Sequence, residues 1–283
     1  MKNSKKLVAL MLSAVVLAGC TDGHAAISNA NEKVFSVGNT TVTKGDVYSS
    51  MFNSVGTYTV ISDVTQSILN ANVPVTDEIN AEADETMKSY ETMYGEAIND
   101  LVGSYGYKDA QDYRDNGVVP SLQAKVLYKN YVNDNWDTIK SEKNPKKGVV
   151  IKVEDADTAA KVMTSLNEGK DLTEVITENS LTHSGKEELI YADSGYPVEV
   201  MTMINSATDS SYATVTCADG SIYVLNVTVS DAETIKDEVA LDLAAKEDIQ
   251  VKAMTYYVQQ AGFEVYDRDL YDAIKLTYPD YLD

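Results

Sequence analysis

The chain has 283 residues and a formal net charge of −21, with 44 acidic side chains against 23 lysines and arginines. That balance excludes a nucleic-acid binder, which needs lysine and arginine to neutralise phosphates. It also excludes a protein held to anionic lipid by its own charges. The length suffices for one large or two modest domains with an apolar core.

The first residues, MKNSKKLVALMLSAVVLAGC, place Lys2, Lys5 and Lys6 before an apolar run from Leu7 to Leu17. The run is shorter than the ~20 residues a membrane-spanning helix needs and fits a secretory signal peptide. Leu17-Ala18-Gly19-Cys20 resembles a bacterial lipobox. In such signals the chain is cut before the cysteine, whose thiol carries diacylglycerol. The expectation is a signal peptide over 1–19, lipidation at Cys20 and a small, polar tether over 20–32. Two acyl chains anchor stably where one is marginal. The mature chain then keeps Cys217 as its single free thiol once Cys20 is lipidated, so no intramolecular disulfide forms.

KVFSVGNTTV (33–42) reads as a hairpin with a Gly38-Asn39 turn. Thr43 and Asp46 form an acidic variant of a capping box, opening a helix over about 44–71. Its expected inward face is Val47, Met51, Ser54, Val55 and Tyr58. Val73-Pro74-Val75 ends it, and Thr76 caps a second helix over 77–102. A loop at 104–107, a short helix over 108–114 and a long helix over 118–140 follow, the last anchored by Leu122, Val126, Leu127, Tyr131 and Trp136. SEKNPKK (141–147) reads as a linker.

The pattern then changes. GVVIKV (148–153) is a strand. Helices follow over about 156–167 and 172–179, then a loop with His183 and Gly185. A helix over 199–205 and strands over 212–216 and 221–228 complete a unit of about 80 residues. Asp231 to Ala261 reads as one long helix with Gly262 as its C-cap, before a Tyr-rich tail. Tyrosine is abundant throughout, 19 against 3 phenylalanines, and combines aromatic bulk with a polar tip.

SVGNTTVTKGDVYSSM (36–51), KGVVIKVEDADTAAKVMTSLNEGKDLTEVITENS (147–180) and AGFEVYDRDLYDAI (261–274) occur in that order. Together with the lipobox they resemble the PrsA-type extracytoplasmic foldase lipoproteins, relatives of SurA and trigger factor. The resemblance implies an α+β fold: a mainly helical chaperone lobe built from 33–140 and 231–283, with a small α/β parvulin-like domain, 148–229, inserted in it. It also allows a homodimer, which no feature of the sequence demonstrates.

Parvulins isomerise X-Pro bonds across a barrier of about 18–20 kcal/mol. Their pocket pairs two histidines with a Cys or Asp. The resemblance places Val150 and Tyr223 at the two histidine positions, and KEELIYADSGYP (186–197) where a Gly-Gly-rich turn belongs. Tyr223 and Asp193 remain as catalytic candidates. His183 matches no family position. Motifs for thiol redox, zinc-protease, serine-hydrolase, nucleotide and EF-hand chemistry are absent from the sequence, so no cofactor or metal is expected.

The expected function is a lipid-anchored chaperone on the outer face of the cytoplasmic membrane, of a Gram-positive type. It would cover apolar segments of newly exported, unfolded proteins, with isomerase activity weak or lost. Met87, Tyr90, Met93 and Tyr94 are the candidate client-binding residues. Two other readings stand beside it. One is an active parvulin with a divergent site. The other is a binding or assembly lipoprotein with one fixed partner.

Overall fold

The computed structural model of the chain describes residues 27–207 and 211–282. The expected signal peptide, Cys20 and the first part of the tether lie outside the described residues. The chain falls into two compact units. One takes the residues up to Ser62 and from Gly262 onward; the other takes Asp63–Ala261.

In the first unit, β1 (Lys33–Val37) and β2 (Thr40–Thr43) form the expected hairpin. Gly38 supplies its turn with φ +58°. The capping box forms as read: Thr43 N–H donates to Asp46 Oδ2 at 2.8 Å, and Asp46 N–H donates to Thr43 Oγ1 at 3.2 Å. It opens α1 (Lys44–Met51). A π-helical turn, Phe52–Gly56, leads into α2 (Thr57–Asn72). The turn has a local cause. A Cβ on Gly56 would lie 3.0 Å from the Phe52 ring, so the glycine makes room for an aromatic four residues earlier. Two expectations change here. Residues 27–32 are not free tether: Lys44 N–H donates to Glu32 O, Gly45 N–H to Ala30 O, and Lys44 Nζ to Ser28 O. And Met51, Val55 and Tyr58, expected to face inward, are exposed.

In the second unit, Thr76 caps α3 (Asp77–Tyr94) through the Ile79 N–H. A 3-10 turn, Gly95–Ala97, separates it from α4 (Ile98–Ser104). The short α5 (Ala110–Tyr113) continues through a second π turn, Arg114–Val118, into α6 (Val119–Asp134). Here again a Cβ on Gly117 would strike the Tyr113 ring, at 2.8 Å. Asn135 interrupts the expected single helix, and α7 (Trp136–Lys143) follows. The expected linker is mostly ordered: α7 takes its first residues, and β3 (Lys146–Val153) its last.

Asp155 caps α8 (Ala156–Asn167) and Asp171 caps α9 (Leu172–Glu178). After them come β4 (Glu188–Ile190), which the sequence reading missed, α10 (Val198–Ser206), β5 (Ala213–Thr216) and β6 (Ile222–Val229). The strands form one antiparallel sheet in the order β4-β3-β6-β5. Strand alternation splits its side chains between two cores. Val149, Ile151, Val153 and Val224 pack with α8 and α9. Val150, Leu225, Val227 and Val215 pack with α10.

The expected helix over 231–261 is three pieces: a 3-10 turn (Ala232–Ile235), α11 (Lys236–Ala244) and α12 (Glu247–Ala261). Helix α6 packs against α3, α11 and α12. Val132, Trp136 and Ile139 share a core with Val239, Leu243 and Ile249, and Tyr191 from the sheet side enters it. In the first unit, the tail forms α13 (Arg268–Thr277), capped by Asp267. The whole agrees with the expected mainly helical α+β class.

Candidate functional site

The ladder between β3 and β6 decides which side chains meet. Val150 pairs with Leu225, and Lys152 with Tyr223. Val150 and Tyr223 are therefore diagonal neighbours on one face, about 7–8 Å apart by ladder geometry. That face is the one covered by α10. Val150 is buried, Tyr223 half-buried, and Val200 and Ile204 of α10 close over the strand residues.

Two polar residues that the sequence reading passed over lie on the α10 side of the sheet, Glu188 opposite Gly148 and so about 13 Å along the strands from the register of Tyr223. The Tyr196 hydroxyl donates to Glu188 Oε1 of β4. Burial, the Glu188 hydrogen bond and the charges of Glu188 and Tyr223 push the Tyr196 phenol well above its ordinary value, burial most of all. It stays protonated and acts as a donor. Chemically the face offers an apolar wall and phenolic hydroxyls, but no imidazole. Cys217 is buried among the apolar residues of the same core.

Asp193 is elsewhere. It follows β4, whose Ile190 pairs with Lys146, whereas Tyr223 pairs with Lys152. Six residues of extended strand separate those registers, about 20 Å. Asp193 Oδ2 accepts from Lys143 Nζ at 2.6 Å, and Lys143 also lies 3.7 Å from Asp248. The Lys143 hydrogen bond holds the Asp193 carboxyl below its ordinary value. The structure thus does not bring Tyr223 and Asp193 together. His183 lies in a loop that packs on α9, its Nδ1 accepting from Gly185 N–H at 3.1 Å.

The four candidate client-binding residues divide. Met87 is buried and lines a groove of ≈ 400 Å³ beside Arg114. Tyr90 and Tyr94 belong to a cluster of tyrosines: Tyr90 lies 6.4 Å from Tyr94 and 6.2 Å from Tyr113, and Tyr113 lies 5.0 Å from Tyr107. Met93 is on the exposed side of the helix, with Tyr105 exposed as well. Tyr107 and Tyr113 were not singled out in sequence because they sit in a different helix and loop.

A larger open cleft, ≈ 740 Å³, lies at the Lys152 end of β3 among Lys152, Thr158, Asn179 and Asp219. Of its two carboxylates, Glu154 and Asp219, that of Asp219 is engaged: Asp219 Oδ1 accepts from Ser221 N–H and Oγ. Among the described residues there is no group of three His, Cys, Asp or Glu side chains able to hold a metal ion. Among them, too, no helix is long and apolar enough to cross a membrane.

Neither a protein-family model nor a curated protein matches the chain. Solved structures do. A peptidylprolyl isomerase (PrsA) from Bacillus cereus is similar at 17% identity with a TM-score of 0.52, over 89% of this chain and 100% of that one. The foldase protein PrsA from Streptococcus pneumoniae is similar at 14% identity with a TM-score of 0.45, again over 89% and 100%. The first of these likenesses establishes a PrsA-like fold.

Proposed function

We propose that the protein is a lipid-anchored extracytoplasmic folding factor that shields unfolded clients, with a parvulin-like domain whose isomerase chemistry is weak or lost. One observation carries the reading: on a PrsA-like fold, the two positions that the resemblance assigns to histidines are diagonal neighbours on one sheet face, and they hold Val150 and Tyr223. An aliphatic side chain transfers no proton and stabilises no charge. The tyrosine cluster around Tyr90 and the exposed Met93 and Tyr105 supply adaptable amphipathic surface, suited to weak and broad client contact.

The Tyr196–Glu188 pair on the same sheet face favours a second reading, an isomerase with a divergent polar group. The anchored location rests on the lipobox at Cys20. The proposed partners are newly exported chains and, through the acyl chains, the membrane.

The test is aggregation of two unrelated unfolded proteins with the mature chain added. Suppression of both at near-stoichiometric amounts is expected. Recovery of one tight stoichiometric partner, with no effect on either client, would favour a fixed-partner assembly protein instead.

A further inference from the structure

The first unit carries an unusual helix surface. From Val47 to Ser62 there is no charged side chain, in a chain that is 24% charged. Tyr48, Met51, Val55 and Tyr58 follow each other at three- and four-residue intervals, the spacing that lines one side of a helix. All four are exposed, Met51 at 61% and Tyr58 at 77%. In the adjoining hairpin Val34, Phe35 and Val37 are exposed too. Periodic apolar residues of this kind normally turn inward; here Met51, Val55 and Tyr58 stand open, and Tyr48 stacks only on Phe52 of the neighbouring turn.

Charge and chain length point to what covers them. Residues 33–62 hold two lysines against one aspartate, while the whole chain is at −21. This stretch escapes the repulsion that the acidic remainder would meet at an anionic membrane. Its uncharged polar groups are Ser, Thr and Tyr hydroxyls and Asn amides, and its aromatic rings suit the bilayer interface, where such rings sit with a wet tip. The described chain begins at Ile27, seven residues after Cys20, a reach of about 25 Å at most. Residues 28–32 are themselves bonded to the start of α1. A chain anchored at Cys20 therefore keeps the start of α1 within about 25 Å of the lipid surface.

We propose that the uncharged face of α1 and the π turn, Tyr48-Met51-Val55, continued by Tyr58 of α2, lies in the headgroup region of the membrane. The anchor then fixes the orientation of the first unit as well as its location. The proposal rests on the lipidation reading, which brings the unit to the membrane; whether this face then touches lipid is a separate question.

The experiment separates the two. The mature chain is coupled through Cys20 to a maleimide lipid in phosphatidylcholine–phosphatidylglycerol vesicles, so natural lipidation does not enter. Cys217 is buried and does not compete. Tyr58→Trp places a reporter on the face, and the vesicles contain brominated lipid, which quenches tryptophan at the interface. The single native tryptophan, Trp136, is buried in the other unit and serves as the unquenched reference. Bromination should remove about half or more of the added fluorescence in Tyr58→Trp and leave the parent chain unchanged. Adding Met51→Asp and Val55→Asp, both exposed positions, should abolish the quenching. Two results overturn the proposal. One is no quenching of the introduced indole by brominated lipid. The other is shielding of that indole from aqueous iodide without vesicles, rising with protein concentration, which makes a second copy the occupant. Mass measurement of the chain from membranes decides lipidation separately.

Discussion

The pairing of β3 with β6 puts Val150 beside Tyr223, and Gly148→Ala tests that pairing directly. Gly148 sits at a bulge where β3 slips one residue against β6. A Cβ there would lie 2.1 Å from the Asn226 carbonyl oxygen and 3.1 Å from Val227 Cα. Both are backbone atoms of the partner strand, so no side-chain rotation relieves the clash. Restoring an ordinary contact moves the strands apart by about 1 Å, which weakens the ladder hydrogen bonds on either side. Losing roughly three of them at about 1 kcal/mol each gives a destabilisation of about 3 kcal/mol, at the upper end for a single substitution. Gly103→Ala is the control: Gly103 is helical in α4, and an added Cβ there meets nothing within 4 Å. It should stabilise slightly, by about 0.5 kcal/mol. Urea unfolding followed by Trp136 fluorescence reads both, because Trp136 lies in the core shared by α7, α11 and Tyr191. A Gly148→Ala midpoint equal to that of the parent would refute the register, and with it the placement of Val150 beside Tyr223.

Leu225→Ala empties a fully buried position on the α10 side and should cost about 2–5 kcal/mol in the same assay. Tyr191→Phe removes the hydrogen bond from the tyrosine hydroxyl to Asp242, 2.7 Å long, and should cost about 1–2 kcal/mol. Asp193 is held below its ordinary value of 3.8 by the Lys143 hydrogen bond. As the pH falls the unfolded chain binds this proton first, so the contribution of Asp193 is present above its ordinary value and is lost as the pH falls through its folded value. Asp193→Asn should flatten the acid limb of the stability–pH curve; an unchanged limb would show that the ion pair contributes nothing. Tyr223→Phe should leave aggregation suppression unaltered, since a covering surface does not depend on one hydroxyl.

Local chemistry was the legible part of the sequence. Thr43 with Asp46, and Thr76, formed the caps that their residue types favour. GVVIKV and GSIYVLNVT read as strands, and the pairing of Val150 with Leu225 then put Val150 and Tyr223 on the same side. The π turns were written in FNSVG and YRDNG, where an aromatic precedes a glycine by four residues, but a helical period cannot register an inserted residue. Strand β4 is only three residues long and exists because β3 pairs with it. The break at 245–246 has no glycine or proline to announce it. The role of Asp193 depended on Lys143, fifty residues away. The period through Met51, Val55 and Tyr58 defined a face without saying what would cover it.

The central claim is a foldase-like fold that shields clients without isomerase chemistry. Its most direct test is protease-free isomerisation of a short X-Pro peptide by the mature chain. A rate equal to the uncatalysed one, from protein that still suppresses client aggregation, is the predicted result. A clear catalysed rate, abolished by Tyr223→Phe or Tyr196→Phe, would contradict it and make the hydroxyl so removed part of an active site.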